Sequence, residues 1–493
     1  MQPVRLNERK KRPRALILAG LLLVALAAAG GILLLRFSQP AKDDAQTAAE
    51  ETPDMTVTDI SESTISALTV WPSVGESYRL LQTEDGIHLD GRPDHPLKEQ
   101  TVRNLFYTSA HIQADEKLPA RHGADADGYG LDTPLCRVRV ELQDGSGYDI
   151  LIGGQAPTSQ TRYYLKVGDQ LCTVTGDVTD ALNVPFTSLH PVTQPAISGE
   201  FIDRITLTGD VTFDAVREGD YWTLREPWRY PLDQSAMEGL LSALDKARFA
   251  SWIGDASEEL LEQTGLSAPR RTLTLCFAPT TLTVPDESGE THVFDLPEST
   301  IEIAMGNAFS ATADYYLTGG EVLTGTMLSF SFLRSFDPER YLAAYPMDIR
   351  SNDLSRVTVT AKGRSSTLSV RYVERVLPNN ELETDEYGNV LYDMQIKNSE
   401  GAVIDSSAFA GWYEQLMGFS TAQRLKEPFI PREGDEPSLV IEVSGADGLT
   451  RSLAFYPYDA LRDRLAVSGV ALYLCDSDRG RRLLEGFEAL SPR

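Results

Sequence analysis

No GxSxG elbow, SxxK pair or HExxH helix occurs in this sequence, and neither a Walker loop nor a GxGxxG turn is present. Those absences remove the usual serine and zinc hydrolase signatures and the usual nucleotide cradles. Cysteine is scarce, with Cys136, Cys172, Cys276 and Cys475 the only four. They form no CxxC pair and no Cys/His cluster, so a structural zinc site is not expected. An exported location would allow a Cys136–Cys172 bridge, and the plainer alternative is that all four are small buried apolar residues. Basic residues are in deficit: 45 Lys and Arg stand against 72 Asp and Glu, for a formal charge of −27. Such a surface disfavours nucleic acid and anionic lipid headgroups. It permits divalent cations or a basic partner, and it also serves solubility alone.

What is present begins with one uncharged run, Ala15 to Leu35. As a helix at about 1.5 Å per residue it would span roughly 31 Å, the thickness of a bilayer's hydrocarbon core. Arg5, Arg9, Lys10, Lys11, Arg12 and Arg14 precede it, opposed only by Glu8. The expectation is a basic cytoplasmic tail at 1–14, a single-pass transmembrane helix at 15–35 and an extracytoplasmic remainder held at the cell membrane. A cleaved signal peptide is the alternative. The apolar run is longer than a usual signal core and continues past Ala27-Ala28-Ala29, and no cysteine follows as a lipid attachment point. Residues 36–55 are small, polar and acidic, as in a flexible linker.

From about Thr56 the chain turns to short β-rich runs broken by Gly, Pro, Asn and Asp. One helical frame recurs within them. It reads Leu232-Asp233-Gln234-Ser235 followed by Met237, Leu240, Leu241 and Leu244, with Asp233 as the N-cap. It occurs earlier as Leu97, Val102, Leu105 and Phe106, and later as Ile404-Asp405-Ser406 with Phe409, Trp412, Tyr413 and Leu416. Gly130-Leu131 and Gly265-Leu266 follow the first two copies at one spacing. Arg162-Tyr163-Tyr164-Leu165 and Asp314-Tyr315-Tyr316-Leu317 come after, with Ala471-Leu472-Tyr473-Leu474 as a weaker third match. Three divergent repeats are therefore expected at 56–193, 197–346 and 350–490. Each reads as an α+β unit of strands around one amphipathic helix, with insertions near 279–297 and 377–391.

The frame of Trp222, Pro231-Leu232-Asp233, Gly265-Leu266 and Pro269 resembles the bacterial family grouped as domain of unknown function 4340. The first repeat departs from it with Lys98 where the Asp cap stands, and the third lacks the Gly-Leu pair. The resemblance implies a bacterial envelope protein, often encoded near ABC-type export systems similar to those of gliding motility, and no established activity.

Several residues suggest chemistry and have a plainer reading beside it. His88, Asp90 and His95 lie close enough for a divalent metal, yet the other repeats have no histidine there, and exposed loop histidines suffice. Asp125, Asp127 and Asp132 surround a glycine turn and offer hard oxygen ligands to Ca²⁺. An EF-type loop would need acids at Gly123 and Pro134, so a solvated acidic loop is the plainer reading. Glu383, Asp385 and Glu386 read as a charged hairpin tip. Within each Tyr-Tyr pair one ring should enter the core and the other face out. Tyr164 and Tyr316 are the candidates for a glycan or partner platform. No cofactor and no catalytic residue is called for. The expected function is a non-enzymatic envelope scaffold whose partners include ABC-type exporter subunits. A glycan- or solute-binding module is the alternative, and an envelope hydrolase has the least support.

Overall fold

Beyond residue 55 the runs of Val, Ile, Leu and Thr alternate inward and outward. Arg271–Phe277 buries every second residue, as a strand between a core and a second layer must. The computed structural model describes residues 54–490 apart from 120–127, 158, 286–290, 326–329, 351–352, 386, 388, 422 and 447.

Three large antiparallel sheets follow one another along the chain. The first region contains β1 (Thr56–Asp59), β2 (Ile65–Trp71), β3 (Tyr78–Thr83), β4 (Gly86–Leu89), α1 (Glu99–Ala110), β5 (His111–Gln113), β6 (Glu116–Lys117), β7 (Cys136–Leu142), β8 (Gly147–Gln155), β9 (Arg162–Val167), β10 (Gln170–Thr175) and α2 (Gly176–Leu182). The second contains β11 (Ile202–Gly209), β12 (Phe213–Glu218), β13 (Tyr221–Glu226), β14 (Tyr230–Pro231), α3 (Gln234–Lys246), β15 (Phe249–Asp255), α4 (Glu258–Thr264), β16 (Arg271–Phe277), β17 (Thr280–Pro285), β18 (Thr291–Leu296), β19 (Ser299–Ala308), β20 (Asp314–Thr318) and β21 (Glu321–Gly325). The third contains β22 (Leu354–Ala361), β23 (Arg364–Glu374), β24 (Tyr392–Asn398), β25 (Val403–Ile404), α5 (Ser406–Met417), β26 (Gln423–Phe429), β27 (Leu439–Gly445), β28 (Thr450–Pro457), β29 (Arg462–Val467), β30 (Val470–Asp476) and α6 (Ser477–Glu488).

The strand orders are β4-β3-β2-β7-β8-β9-β10-β6, then β14-β13-β12-β11-β16-β19-β20-β21-β15, then β25-β24-β23-β22-β27-β28-β29-β30-β26. They describe one path taken three times. The chain starts on a central strand, walks outward by hairpins and crosses on a helix to the opposite edge. It then returns to the centre beside its first strand and walks outward again to meet that edge. β17 and β18 form a separate hairpin inserted in the second sheet. The three sheets fall inside the segments 56–193, 197–346 and 350–490 respectively.

Each crossing helix buries most of the stripe its sequence spacing marks out, with Leu241 of α3 only half-buried. Val102, Leu105 and Phe106 are buried on α1, Met237, Leu240 and Leu244 on α3, and Phe409, Trp412, Tyr413 and Leu416 on α5. The Asp233 carboxylate accepts the Ala236 N–H at 2.8 Å and the Asp405 carboxylate accepts that of Ala408 at 2.8 Å. Lys98 gives α1 no side-chain cap.

Two expectations are corrected. The α+β class gives way to a mainly β architecture of antiparallel sheets, with 46% of described residues in strands and 20% in helices. The amphipathic helix frame is the most visible sequence pattern, but each large sheet spends one crossing helix on eight or nine strands. The transmembrane, single-pass description is also corrected. Among the described residues no helix is long and apolar enough to cross a membrane. The 13-residue α3 reaches only about 20 Å at 1.5 Å per residue. Residues 15–35, where that helix was expected, lie outside the described residues, as do the tail at 1–14 and most of the linker at 36–55.

Burial divides the molecule unevenly. The second and third sheets share one continuous hydrophobic cluster, from Ile202 to Phe487. The first sheet has its own, from Ile65 to Leu189.

Candidate functional site

One break in the repeated pattern lies beside β4, an edge strand of the first sheet. A cleft of about 540 Å³ opens between β4 and α1. Ile87 and His88 form one wall, Leu97 and Val102 the floor, and Glu62, Glu99 and Arg103 the rim. Its volume falls in the roughly 300–1,000 Å³ range of ligand clefts. The Arg103 guanidinium lies 2.5 Å from the Glu99 carboxylate, one turn apart on α1.

His95 stands at one end of the cleft and connects it to the second sheet. Its Nε2 lies 3.3 Å from His190 Nδ1, and His190 Nε2 lies 3.1 Å from the Glu321 carboxylate at the start of β21. His190 is buried and stacks on Trp252 of β15, with centroids 4.2 Å apart and planes 16° off parallel. The His95 ring meets Trp252 edge-on at 5.7 Å and Phe186 at 5.3 Å. Desolvation holds the His95 pKa below the ordinary histidine value. His190 and the Arg92 guanidinium push it the same way, and Asp255 opposes them. His95 is thus favoured as the neutral imidazole, able to bridge to His190 without carrying charge.

The structure separates the His88, Asp90 and His95 group. His88 Nδ1 lies 3.3 Å from Pro93 O, Asp90 pairs with Arg79 at 3.4 Å, and His95 turns to His190. Among the described residues no group of three or more His, Cys, Asp or Glu is placed to hold a metal ion. Of the Ca²⁺ candidates, Asp125 and Asp127 lie outside the described residues and Asp132 is exposed. Glu383 and Asp385 lie on the extended β23–β24 hairpin, both half-buried, and Glu386 lies outside the described residues. All four cysteines are free. The Cys136 and Cys172 thiols contact the carbonyls of Leu182 and Leu165, and burial pushes both up to about 12.

The tyrosine platform is corrected. Tyr164 is half-buried and meets Tyr129 edge-on at 4.7 Å. Tyr316 is only 1% exposed and lies in the core, where burial raises its pKa. The pairs are offset by one residue. Leu165 stands opposite Ile152 and Cys172, and its counterpart opposite Met305 and Leu323 is Tyr316. A one-residue slip in a strand reverses every side chain, so the structural partner of Tyr164 is Tyr315. Tyr473 is displaced further, because it lies on β30, the counterpart of β10 and β21.

His190, Glu321 and Trp252 were not singled out by sequence reasoning. They are far apart in the chain, and only the junction of two sheets brings them to His95.

Residues 88–269 match the family model described as a domain of unknown function, DUF4340. The family resemblance carried by Trp222, Pro231-Leu232-Asp233, Gly265-Leu266 and Pro269 is shown over that stretch. The matched stretch runs from β4 to the turn before β16, taking in α1, the junction histidines and both Gly-Leu turns. No curated protein and no solved structure matches the chain.

Proposed function

We propose that this chain, which carries the DUF4340 domain over residues 88–269, is a non-catalytic interaction scaffold acting outside the bacterial cytoplasm. The observation that carries the reading is the open sheet edge at β4. The same position is filled in the second and third sheets by β14 and β25. An exposed edge with an adjoining cleft is a template for a partner's backbone. The export of residues beyond 55 is supported by the basic cluster Arg5 to Arg14 followed by an uncharged run. ABC-type exporter subunits are the partner class, on the strength of the family resemblance.

Crosslinking in intact cells, followed by identification of what is attached to the chain, tests this. Exporter or other envelope subunits should be recovered. Recovery of this chain alone, or of cytoplasmic proteins only, would overturn the reading. Protease added to intact spheroplasts should digest the region beyond residue 55, and protection of that region would remove the proposed location.

A further inference from the structure

The three sheets share one path, so each is a control for the others. In the second sheet the segment leading into the helix pairs with the third strand, Leu224 opposite Tyr230 and Thr223 opposite Pro231. In the third sheet the same happens, Ile396 opposite Ile404 and Lys397 opposite Val403. The counterpart in the first sheet is His95-Pro96-Leu97, and it is not a strand. His95 is drawn toward His190 instead, and β4 ends the sheet.

The backbone edge of β4 is open at Ile87. The Asp90 N–H donates to Arg79 O at 2.9 Å, which fixes the alternation of the antiparallel pair. Gly86 and His88 then exchange bonds with β3, while Ile87 turns its N–H and C=O toward the cleft. The Leu89 C=O is taken by the Arg92 N–H at 3.1 Å and the two residues form an antiparallel bridge, so the chain itself covers the edge at Leu89 and Ile87 is the position left facing outward. The cleft offers two kinds of side-chain environment. Leu97 and Val102 make an apolar floor, and the rim carries the half-buried Glu62 and the exposed Glu99, which is paired with Arg103. The whole chain carries −27, so its field favours a cationic ligand.

We propose that the β4–α1 cleft takes an extended segment of a partner polypeptide, added antiparallel to β4, with apolar and basic residues alternating. Alternate side chains of a strand face opposite ways, so the apolar set meets Leu97 and Val102 on the α1 side while the basic set faces away into the field of the acidic chain. This rests on the scaffold reading and names the chemistry of its partner.

The probe is a fluorescein-labelled hexapeptide of alternating Lys and Val, titrated with the full chain and read by anisotropy. Binding in the micromolar range is expected, and Ile87→Pro should weaken it by roughly tenfold or more. Proline at an outward-facing edge position removes the N–H that the peptide needs and leaves the β3 ladder intact. Two further peptides carry backbone N-methyl groups on alternate residues, in opposite phases. One phase should abolish binding to the unaltered chain and the other should retain it, because only alternate N–H groups face β4. This comparison decides the matter should Ile87→Pro fail to fold. Equal binding of both phases would overturn strand addition. Preference for a Glu-Val hexapeptide would overturn the basic partner and point to the chain's own acidic residues 36–55. Concentration-dependent dimerisation that Ile87→Pro abolishes would make a second copy the occupant and overturn the proposal. Peptide failure beside successful recovery of envelope subunits removes this inference alone; failure of both removes the scaffold reading as well.

Discussion

Gly265 and Gly306 show what the recurring Gly-Leu motif does. Gly265 ends α4 in the left-handed region at φ 71°, and Gly130 takes φ 70° at the matching place. Each left-handed turn delivers the following leucine onto a second glycine, located where a facing strand bulges. A Cβ on Gly306 would fall on the Thr264 carbonyl oxygen and crowd Leu266, and one on Gly153 would fall on the Tyr129 carbonyl and crowd Leu131. The family motif is therefore half of a backbone-to-backbone contact. Gly306→Ala should destabilise the second sheet by about 1–3 kcal/mol, the usual cost of overpacking a close contact. Gly411→Ala is the control, since its Cβ would meet nothing within 4 Å in α5, and it should stabilise by about 0.5–1 kcal/mol. Thermal unfolding of both variants reads the difference in sign. The Gly-Leu pair was legible because it recurs at one spacing, while its left-handed turn appears only in the structure. Its partner glycine was not legible, because a strand bulge leaves no fixed spacing to the turn it faces. The same limit hides the burial of Tyr316: Tyr-Tyr-Leu matches letter for letter, but register is set by Ile152 and Met305 across the ladder.

At the scale of elements, the helix frame was the best-read feature of the chain. Periodicity identified the buried stripes of α1, α3 and α5, and the aspartates before two of them are caps in the structure. The strand order was not legible, since antiparallel runs of similar composition pair equally well in several orders. The missing cap on α1 is a local deficit and can be repaired. Lys98 has φ −73° and ψ 92°, near the φ −69° and ψ 116° of Asp233. Lys98→Asp should therefore add up to about 1 kcal/mol, whereas Asp233→Ala and Asp405→Ala should each cost about 1 kcal/mol. Urea denaturation of the three variants checks the signs. A destabilised Lys98→Asp would mean that the lysine side chain does more than occupy a cap position, since the backbone N–H of residue 98, which donates to Leu189 O at 2.6 Å, is the same in both.

Across the whole molecule the two junctions are unlike. The second and third sheets are joined by apolar packing, with the Tyr221 hydroxyl donating to Asp353 at 3.0 Å and accepting the Arg350 N–H at 2.9 Å. The first and second sheets meet through His95, His190, Trp252, Phe186 and Glu321. Cooperativity follows continuous burial, so calorimetry should resolve two transitions, one for the first sheet and one for the other two together. Acid should act on the first of these. A histidine whose folded pKa is depressed binds protons more readily when unfolded, so its contribution is complete above about pH 6.5 and is lost as pH falls below that value. The charged and titratable groups facing His95 are His190, Arg92 and Asp255, with Glu321 behind His190. Lowering the pH from about 7.5 to about 5.5 should therefore bring the first-sheet transition down further than the second. His95→Gln, which keeps a hydrogen-bonding side chain and removes the titration, should reduce that extra shift. An equal shift of both transitions, unchanged in His95→Gln, would mean that the acid response belongs to the carboxylate surface and that this junction is not its seat.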